Sequence, residues 1–448
     1  MHKSVLIWGF ASSGEASFDL LYNKKDKFFV FDSNKDVQQR LISKFSNWKN
    51  VFVLTRVNRD VIDGMDIIII SPAVSVFDKN ICYAKTIGKE VISELELGAR
   101  KFAGKLVAIT GTNGKTTTTR LVGNILKCAG KNYELVGNIG TPICSKIKKS
   151  RHKIFVCEAS SFQLEAVKTF RPHIACLLNI SEDHLDRHKT MKNYVNMKYR
   201  IFENQGKKDY AVIQNGLPVG NIKSNIVTFG YGEQNNSCYL LNGQIWYDNG
   251  RHSEVICSAD EVKMLGRHNL ENVMAGVAIC KLLKIKNKHI VCGIKTFEPS
   301  KHRLQMVKER GGIRFFDDSK ATNIDAVKQA LLSMNSDRKV ILLLGGSEKG
   351  LSYEYIFENL PQNVKKILTF GELSVKIVQT AREYNVQNIQ GFKTLREATY
   401  EACKVAENGC DVLLSPGSAS FDEFENYEDR GEKFLEYINA FYKETAEQ

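Results

Sequence analysis

The run Leu106-Val107-Ala108-Ile109-Thr110-Gly111-Thr112-Asn113-Gly114-Lys115-Thr116-Thr117-Thr118 constrains this chain more than any other stretch. Five residues that read as a buried strand enter a Gly-rich turn, and a helix-permissive run extends from Thr116 to Leu126. Such a turn aims successive backbone N–H groups at one point, at the positive end of a helix, where an anion is favoured. Lys115 adds a mobile positive charge for a terminal phosphate, and Thr116 adds a hydroxyl for Mg²⁺. The general phosphate-loop pattern has a glycine six residues before the lysine; Ile109 stands there, so the loop is a shortened variant. The bland alternative is a glycine turn before a surface helix, and the residues around it decide between the two.

Upstream, the grammar is strand, turn, helix, strand, acid. A strand over Ser4–Trp8 leads to Gly9-Phe10-Ala11-Ser12-Ser13-Gly14, and a second strand, Phe28–Phe31, ends in Asp32 and Ser33. This is a small Rossmann-like unit with Ser12, Ser13, Asp32 and Ser33 placed to hold a nucleotide-type handle. The dinucleotide fingerprint would put its second glycine at Ala11, so a standard NAD site is not expected. A third strand, Asp66–Ile70, runs into Ser71-Pro72-Ala73 at the same sheet edge, where ligands of open α/β sheets lie.

Downstream of the loop, strand Ile154–Cys157 ends in Glu158, which is where a Mg²⁺ ligand is expected beside a phosphate loop. Strand Ile174–Leu178 ends in the polar cluster Asn179-Ile180-Ser181-Glu182-Asp183-His184, which makes a second metal site at His184 an expectation. A helix from Met191 to Phe202 carries Lys198, which by itself reads as a surface lysine. Asn269 and Asn272 lie one turn apart near a helix start; they either read an adenine edge together or cap the helix. After His302-Arg303, strands again end in loaded loops, including Asp317-Asp318-Ser319-Lys320-Ala321-Thr322-Asn323 and Ser415-Pro416-Gly417-Ser418-Ala419-Ser420-Phe421-Asp422.

The expected class is α/β throughout, as three domains: 1–100 Rossmann-like, 101–300 a central phosphate-loop ATPase-like sheet, parallel or mixed, and 301–448 Rossmann-like again. The 448 residues suit three cores. The net charge of +13 raises nucleic acid as a partner. The excess sits in residues 101–300, with 29 basic against 15 acidic side chains, in the segment that holds the phosphate loop. It is read as attraction for an anionic ligand, without nucleic-acid binding, and the run Lys146–Lys153 as a solvated face. There is no bilayer-length apolar run, and the start does not read as a signal peptide. The eleven scattered cysteines, with no Cys-x-x-Cys, point to reduced thiols in a cytoplasm and to no structural zinc.

These motifs resemble a family. Thr110-Gly111-Thr112-Asn113-Gly114-Lys115-Thr116 resembles the ATP loop of the Mur ligases and folylpolyglutamate synthetases. Glu158–Glu165, Asn179–His188, His302-Arg303, Asp318–Asn323 and Ser415–Asp422 resemble the D-glutamate-adding branch of the Mur ligases, in order along the whole chain. Ala11 and Ala73 stand where the family carries glycines. The resemblance implies a cytoplasmic step of peptidoglycan synthesis and cell-wall biogenesis, catalysed by a monomer. ATP would phosphorylate the carboxylate of UDP-N-acetylmuramoyl-L-alanine (UDP-MurNAc-L-Ala), and D-glutamate would attack the acyl phosphate. It further implies ATP contacts from Gly111, Thr112, Asn113, Gly114, Lys115, Thr116, Thr117, Asn269, Asn272, Arg303 and Asp318. Two Mg²⁺ ions would use Thr116, Glu158, His184 and Lys198 as its carbamate, with Lys115, His184 and Lys198 the catalytic residues. Asn138 and Ser160 would meet the UDP substrate, and Lys320, Thr322, Lys349, Ser420 and Phe421 would form the D-glutamate pocket. The competing expectations are another amide ligase of the superfamily and a nucleotide-binding regulator without the reaction.

Overall fold

The structure, a computed structural model, describes residues 2–147, 153–264, 266–299, 301–347 and 353–445. Lys349 and most of the basic run Lys146–Lys153 lie outside the described residues.

Three sheets form, one in each of the three expected spans. The first contains β1 (Ser4–Trp8), β2 (Lys27–Phe31), β3 (Val51–Val53), β4 (Ile67–Ile70) and β5 (Glu90–Ser93), all parallel in the order β3-β2-β1-β4-β5. Continuous apolar runs such as Ile67–Ile70 suit strands covered by helices on both faces, and Leu6, Ile7, Phe28, Val30, Ile68 and Ile92 are buried. The helix Ser12–Leu21 starts directly after the β1 turn, and the helix Lys35–Phe45 directly after β2. Asn34 caps the latter, accepting from the N–H groups of Asp36 and Val37, a cap worth about 1 kcal/mol.

The second sheet contains β6 (Lys105–Thr110), β7 (Tyr133–Gly137), β8 (Ile154–Glu158), β9 (Ile174–Leu177), β10 (Tyr210–Gln214), β11 (Asn225–Tyr231), β12 (Cys238–Leu241), β13 (Gln244–Asp248) and β14 (Ser253–Ser258). Its order is β14-β13-β12-β11-β10-β9-β6-β8-β7. The strands from β7 across to β12 are parallel, and β13 is antiparallel to both of its neighbours, so the sheet is mixed. The phosphate-loop strand β6 lies between β8 and β9. Glu158 and Asn179 therefore emerge at its flanks.

In the third sheet an antiparallel edge strand, β15 (Gln305–Arg310), precedes β16 (Ile313–Asp317), β17 (Lys339–Gly345), β18 (Val364–Phe370), β19 (Ile389–Gly391) and β20 (Cys410–Leu414). The order is β15-β16-β20-β17-β18-β19, parallel beyond the edge.

By packing, the chain divides into two compact units. The first holds residues up to Ile180, Arg187–Val262 and Glu271–Phe297; the second holds Ser181–Asp186, Lys263–Leu270 and the chain from Glu298 on. His184 and Asn269 thus belong to the second unit, and Lys198 and Asn272 to the first. All eleven cysteines are free thiols. Among the described residues, no helix is long and apolar enough to cross a membrane.

Candidate active site

The phosphate loop follows β6, and the helix Lys115–Cys128 begins on its lysine. Gly114 has φ +82°, and a Cβ there would fall 2.1 Å from Oδ1 of Asn272, so only glycine fits. Asn272 also accepts from the Thr118 hydroxyl at 3.3 Å. The loop is pinned from the β9 side as well. Thr112 N–H donates to the Asn179 carbonyl (3.1 Å) and Asn113 N–H to Asn179 Oδ1 (2.8 Å), while Asn179 Nδ2 donates back to the Asn113 carbonyl (3.1 Å). Thr117 is buried in the first helical turn.

Two ammonium groups meet on this loop. Lys115 Nζ folds back to donate to the carbonyls of Gly111 (2.8 Å) and Thr112 (2.7 Å). Lys198 Nζ donates to the same Gly111 carbonyl at 2.6 Å and lies 4.5 Å from the Tyr194 ring centroid. Lys198 is 1% exposed, so it is no surface lysine. The tie between them is Tyr194, one turn before Lys198, whose hydroxyl is 3.1 Å from Thr112 Oγ1.

Glu158, at the end of β8, is 2% exposed. Its carboxylate accepts from the Thr116 hydroxyl at 2.9 Å and from Asn138 Nδ2 at 2.8 Å. Hydroxyl and carboxylate together are a hard, all-oxygen donor pair that fits Mg²⁺. Among the described residues no three His, Cys, Asp or Glu side chains converge. Thr116 and Glu158 would hold a magnesium ion here, with water and phosphate oxygens as its other ligands. Ser160 caps the short helix Ser161–Leu164 through a capping box with Gln163. Buried His188 holds the next residue, its Nε2 3.0 Å from Ser161 Oγ.

On the first sheet, Asp32 braces the opening turn. Its Oδ2 accepts from Phe10 N–H (2.7 Å) and its Oδ1 from Asn34 N–H (2.9 Å). Ser12 and Ser33 stay exposed and Ser13 half-buried.

The remaining predicted residues lie in the second unit. His184 has φ +54° and is half-exposed; its Nε2 is 3.6 Å from Asp183 Oδ2. Asn269 is the third residue of the helix Arg267–Leu282, inside it and not at its cap. Asp318 is buried and accepts from Leu304 N–H (3.1 Å) and the Ser415 hydroxyl (2.9 Å). Burial pushes its carboxyl up to about 7, against the opposing pull of those two donors and Arg303. Burial, with Arg303 nearby, pushes His268 down to about 4. Lys320 Nζ donates to the Tyr427 hydroxyl and sits 4.0 Å from that ring's centroid. Thr322 is half-buried, Ser420 is buried and Phe421 is 74% exposed.

Residues 109–280 match the Mur ligase middle domain, and residues 302–419 the Mur ligase glutamate ligase domain. A UDP-N-acetylmuramoylalanine–D-glutamate ligase of Caldicellulosiruptor bescii is 38% identical over 449 residues, 98% of this chain and 97% of that protein. The chain belongs to the Mur ligase family. A ligase of the same name from a Thermoanaerobacter species is 35% identical, covering 97% of this chain and 98% of its own. In fold, this Mur ligase matches a pseudomurein peptide ligase type C from Methanothermus fervidus (TM-score 0.61, 17% identity, 98% and 100% of the two chains). It also matches the MurF ligase of Thermotoga maritima in complex with ADP (TM-score 0.60, 15% identity, 99% and 96%). The three-domain α/β expectation is borne out by this fold.

Three residues of this Mur ligase escape a motif-by-motif reading. Tyr427 packs on Lys320, and Tyr194 joins Lys198 to the loop. Arg187 is the third. It pairs with buried Glu165 (Nε–Oε1 2.9 Å), stacks over Phe162 at 4.3 Å, and donates to the carbonyls of Pro72 (2.6 Å) and Val74 (3.0 Å). It thereby straps the Ser71–Val74 loop of the first sheet to the helix after Glu158. Spacing offers a signal only for Tyr194, four residues before Lys198 on one helix face.

Proposed function

We infer that the chain is an ATP-dependent, ADP-forming ligase that joins D-glutamate to UDP-MurNAc-L-Ala in the cytoplasm, a step toward peptidoglycan. One observation carries this reading: a phosphate loop with Lys115 and a Thr116–Glu158 pair, in a chain whose full-length relatives bear that ligase name. The work divides as uridine handling mainly by residues 1–100, ATP mainly by 101–300 with Arg303 and Asp318 added, and the amino acid by 301–448.

The N–H groups of the first helical turn from Lys115 on, with the Lys115 ammonium, bind the β- and γ-phosphates. Lys115 leaves its carbonyl partners for the γ-phosphoryl group and stabilises its charge during transfer to the substrate carboxylate. Thr116 and Glu158 would hold one Mg²⁺, and His184 with carbamylated Lys198 a second; bound there, the ions screen the repulsion between carboxylate and triphosphate. Asn138 fixes the Glu158 carboxylate, and Ser160 lines the substrate side. Asn269, Asn272, Arg303 and Asp318 hold the adenosine. Lys320, Thr322, Lys349, Ser420 and Phe421 hold D-glutamate, with Lys349 on a carboxylate. The free amine attacks the acyl carbon, the C–O bond to phosphate breaks, and an amide remains.

Phosphate release measured with UDP-MurNAc-L-Ala against a panel of D- and L-amino acids tests the reading. Turnover with D-glutamate alone is expected; preference for another amino acid moves the chain to a sister ligase, and no turnover with any makes it a nucleotide-binding regulator. Arg187→Ala is expected to raise the KM for UDP-MurNAc-L-Ala about tenfold while leaving the KM for ATP within about twofold. Equal changes in both would remove the strap from substrate binding.

A further inference from the structure

The phosphate-loop helix Lys115–Cys128 ends on a cysteine, and the helix Asn287–Lys295 lies against it. The two backbones touch at Gly293, where a Cβ would fall 2.6 Å from the Cα of Ile125. That approach brings Cys128 Sγ to 2.7 Å from Cys292 Sγ, although 164 residues separate them in sequence. Polar bonds fix both helices around the pair. Asn124 Nδ2 donates to the Gly293 carbonyl (2.8 Å) and to Thr296 Oγ1 (3.0 Å), and the Thr296 hydroxyl donates to the Cys292 carbonyl (2.8 Å). Cys292 is exposed and Cys128 half-buried; of the other nine thiols, only Cys82 is exposed.

We propose that Cys128 and Cys292 are a reversible oxidation site, a dithiol that a low-molecular-weight disulfide such as glutathione disulfide converts into an intramolecular disulfide. The exposed Cys292 thiolate attacks one sulfur of the oxidant, forming a mixed disulfide and expelling one glutathione thiolate. The Cys128 thiolate then attacks Cys292 Sγ, the mixed disulfide breaks and the second glutathione thiolate leaves. The protein loses two protons and two electrons, and the oxidant gains both as two thiols. The second attack needs no large movement of either helix, because the two sulfurs already lie 2.7 Å apart. The cross-link closes a long stretch of chain and so restricts the unfolded ensemble, raising the temperature of unfolding. The phosphate loop, at the far end of the helix, is left as it is.

The test treats the full-length protein with glutathione disulfide under native conditions. With Cys82, the other exposed thiol, replaced by serine, intact mass should fall by about 2 Da, with no glutathione adduct on the pair, and return on treatment with dithiothreitol. A non-reducing peptide map should join the segment bearing Cys128 to that bearing Cys292. The oxidised protein should unfold several degrees higher than the reduced one. Cys128→Ser should instead retain glutathione on Cys292 and show no such rise. A stable glutathione adduct on Cys292 of the unmutated protein overturns the proposal, and so does the same mass loss in Cys128→Ser.

Discussion

Lys115→Ala should lower kcat for phosphate release by about a thousandfold or more, the scale on which a single preorganised donor to a developing anion acts. In the structure the ammonium is stored on two loop carbonyls, Gly111 and Thr112, within reach of the space its own helix N-terminus faces. Alanine deletes the mobile charge and leaves the loop's N–H groups in place. ATP binding, followed by nucleotide fluorescence or calorimetry, should therefore weaken far less than turnover. Near-normal turnover would take the loop out of the mechanism.

Lys198→Ala should be the second most damaging change, with kcat down by about a hundredfold or more and partial recovery in formate or acetate. The unmodified ammonium is buried, held by the Gly111 carbonyl and the Tyr194 ring. A carbamate at the same nitrogen reverses the charge and supplies oxygen donors, which is what a hard cation requires. A small carboxylate diffusing into the alanine cavity replaces those oxygens and leaves the Tyr194 ring where it is. Loss of activity without any rescue would leave Lys198 as a brace for Gly111 only, and full activity would dismiss both roles.

Much of the fold is legible because each strand–loop–helix unit announces itself locally. The apolar run before Gly111, the acid after strand Ile154–Cys157 and Asn179 after strand Ile174–Leu178 all mark carboxyl ends of parallel strands, and the structure sets those strand ends side by side on β6, β8 and β9. The antiparallel extension over residues 238–258 is missing from that reading, although Asn242-Gly243 and Asn249-Gly250 mark its turns. Asn242 and Gly243 both take positive φ, +49° and +73°, as a tight two-residue hairpin requires. The site is less legible, for a different reason. Lys198 acquires its meaning from Gly111, 87 residues away, and Lys320 from Tyr427, 107 residues on. No local pattern encodes a contact of that span, so the chemistry of either lysine rests on its resemblance to a family.

The Arg187 strap has a consequence for tolerance to mutation. The guanidinium grips the Ser71–Val74 loop entirely through main-chain oxygens, those of Pro72 and Val74, while the side chain of Ala73 points to solvent. A loop read by its backbone keeps its shape whatever side chain occupies its outer face. The strap therefore places no demand on the side chain at position 73, and the backbone at Ala11, with φ −77°, does not require glycine. Single substitutions at position 73 are thus expected to leave the strap in place, whereas removing the Arg187 guanidinium deprives both carbonyls of their donor.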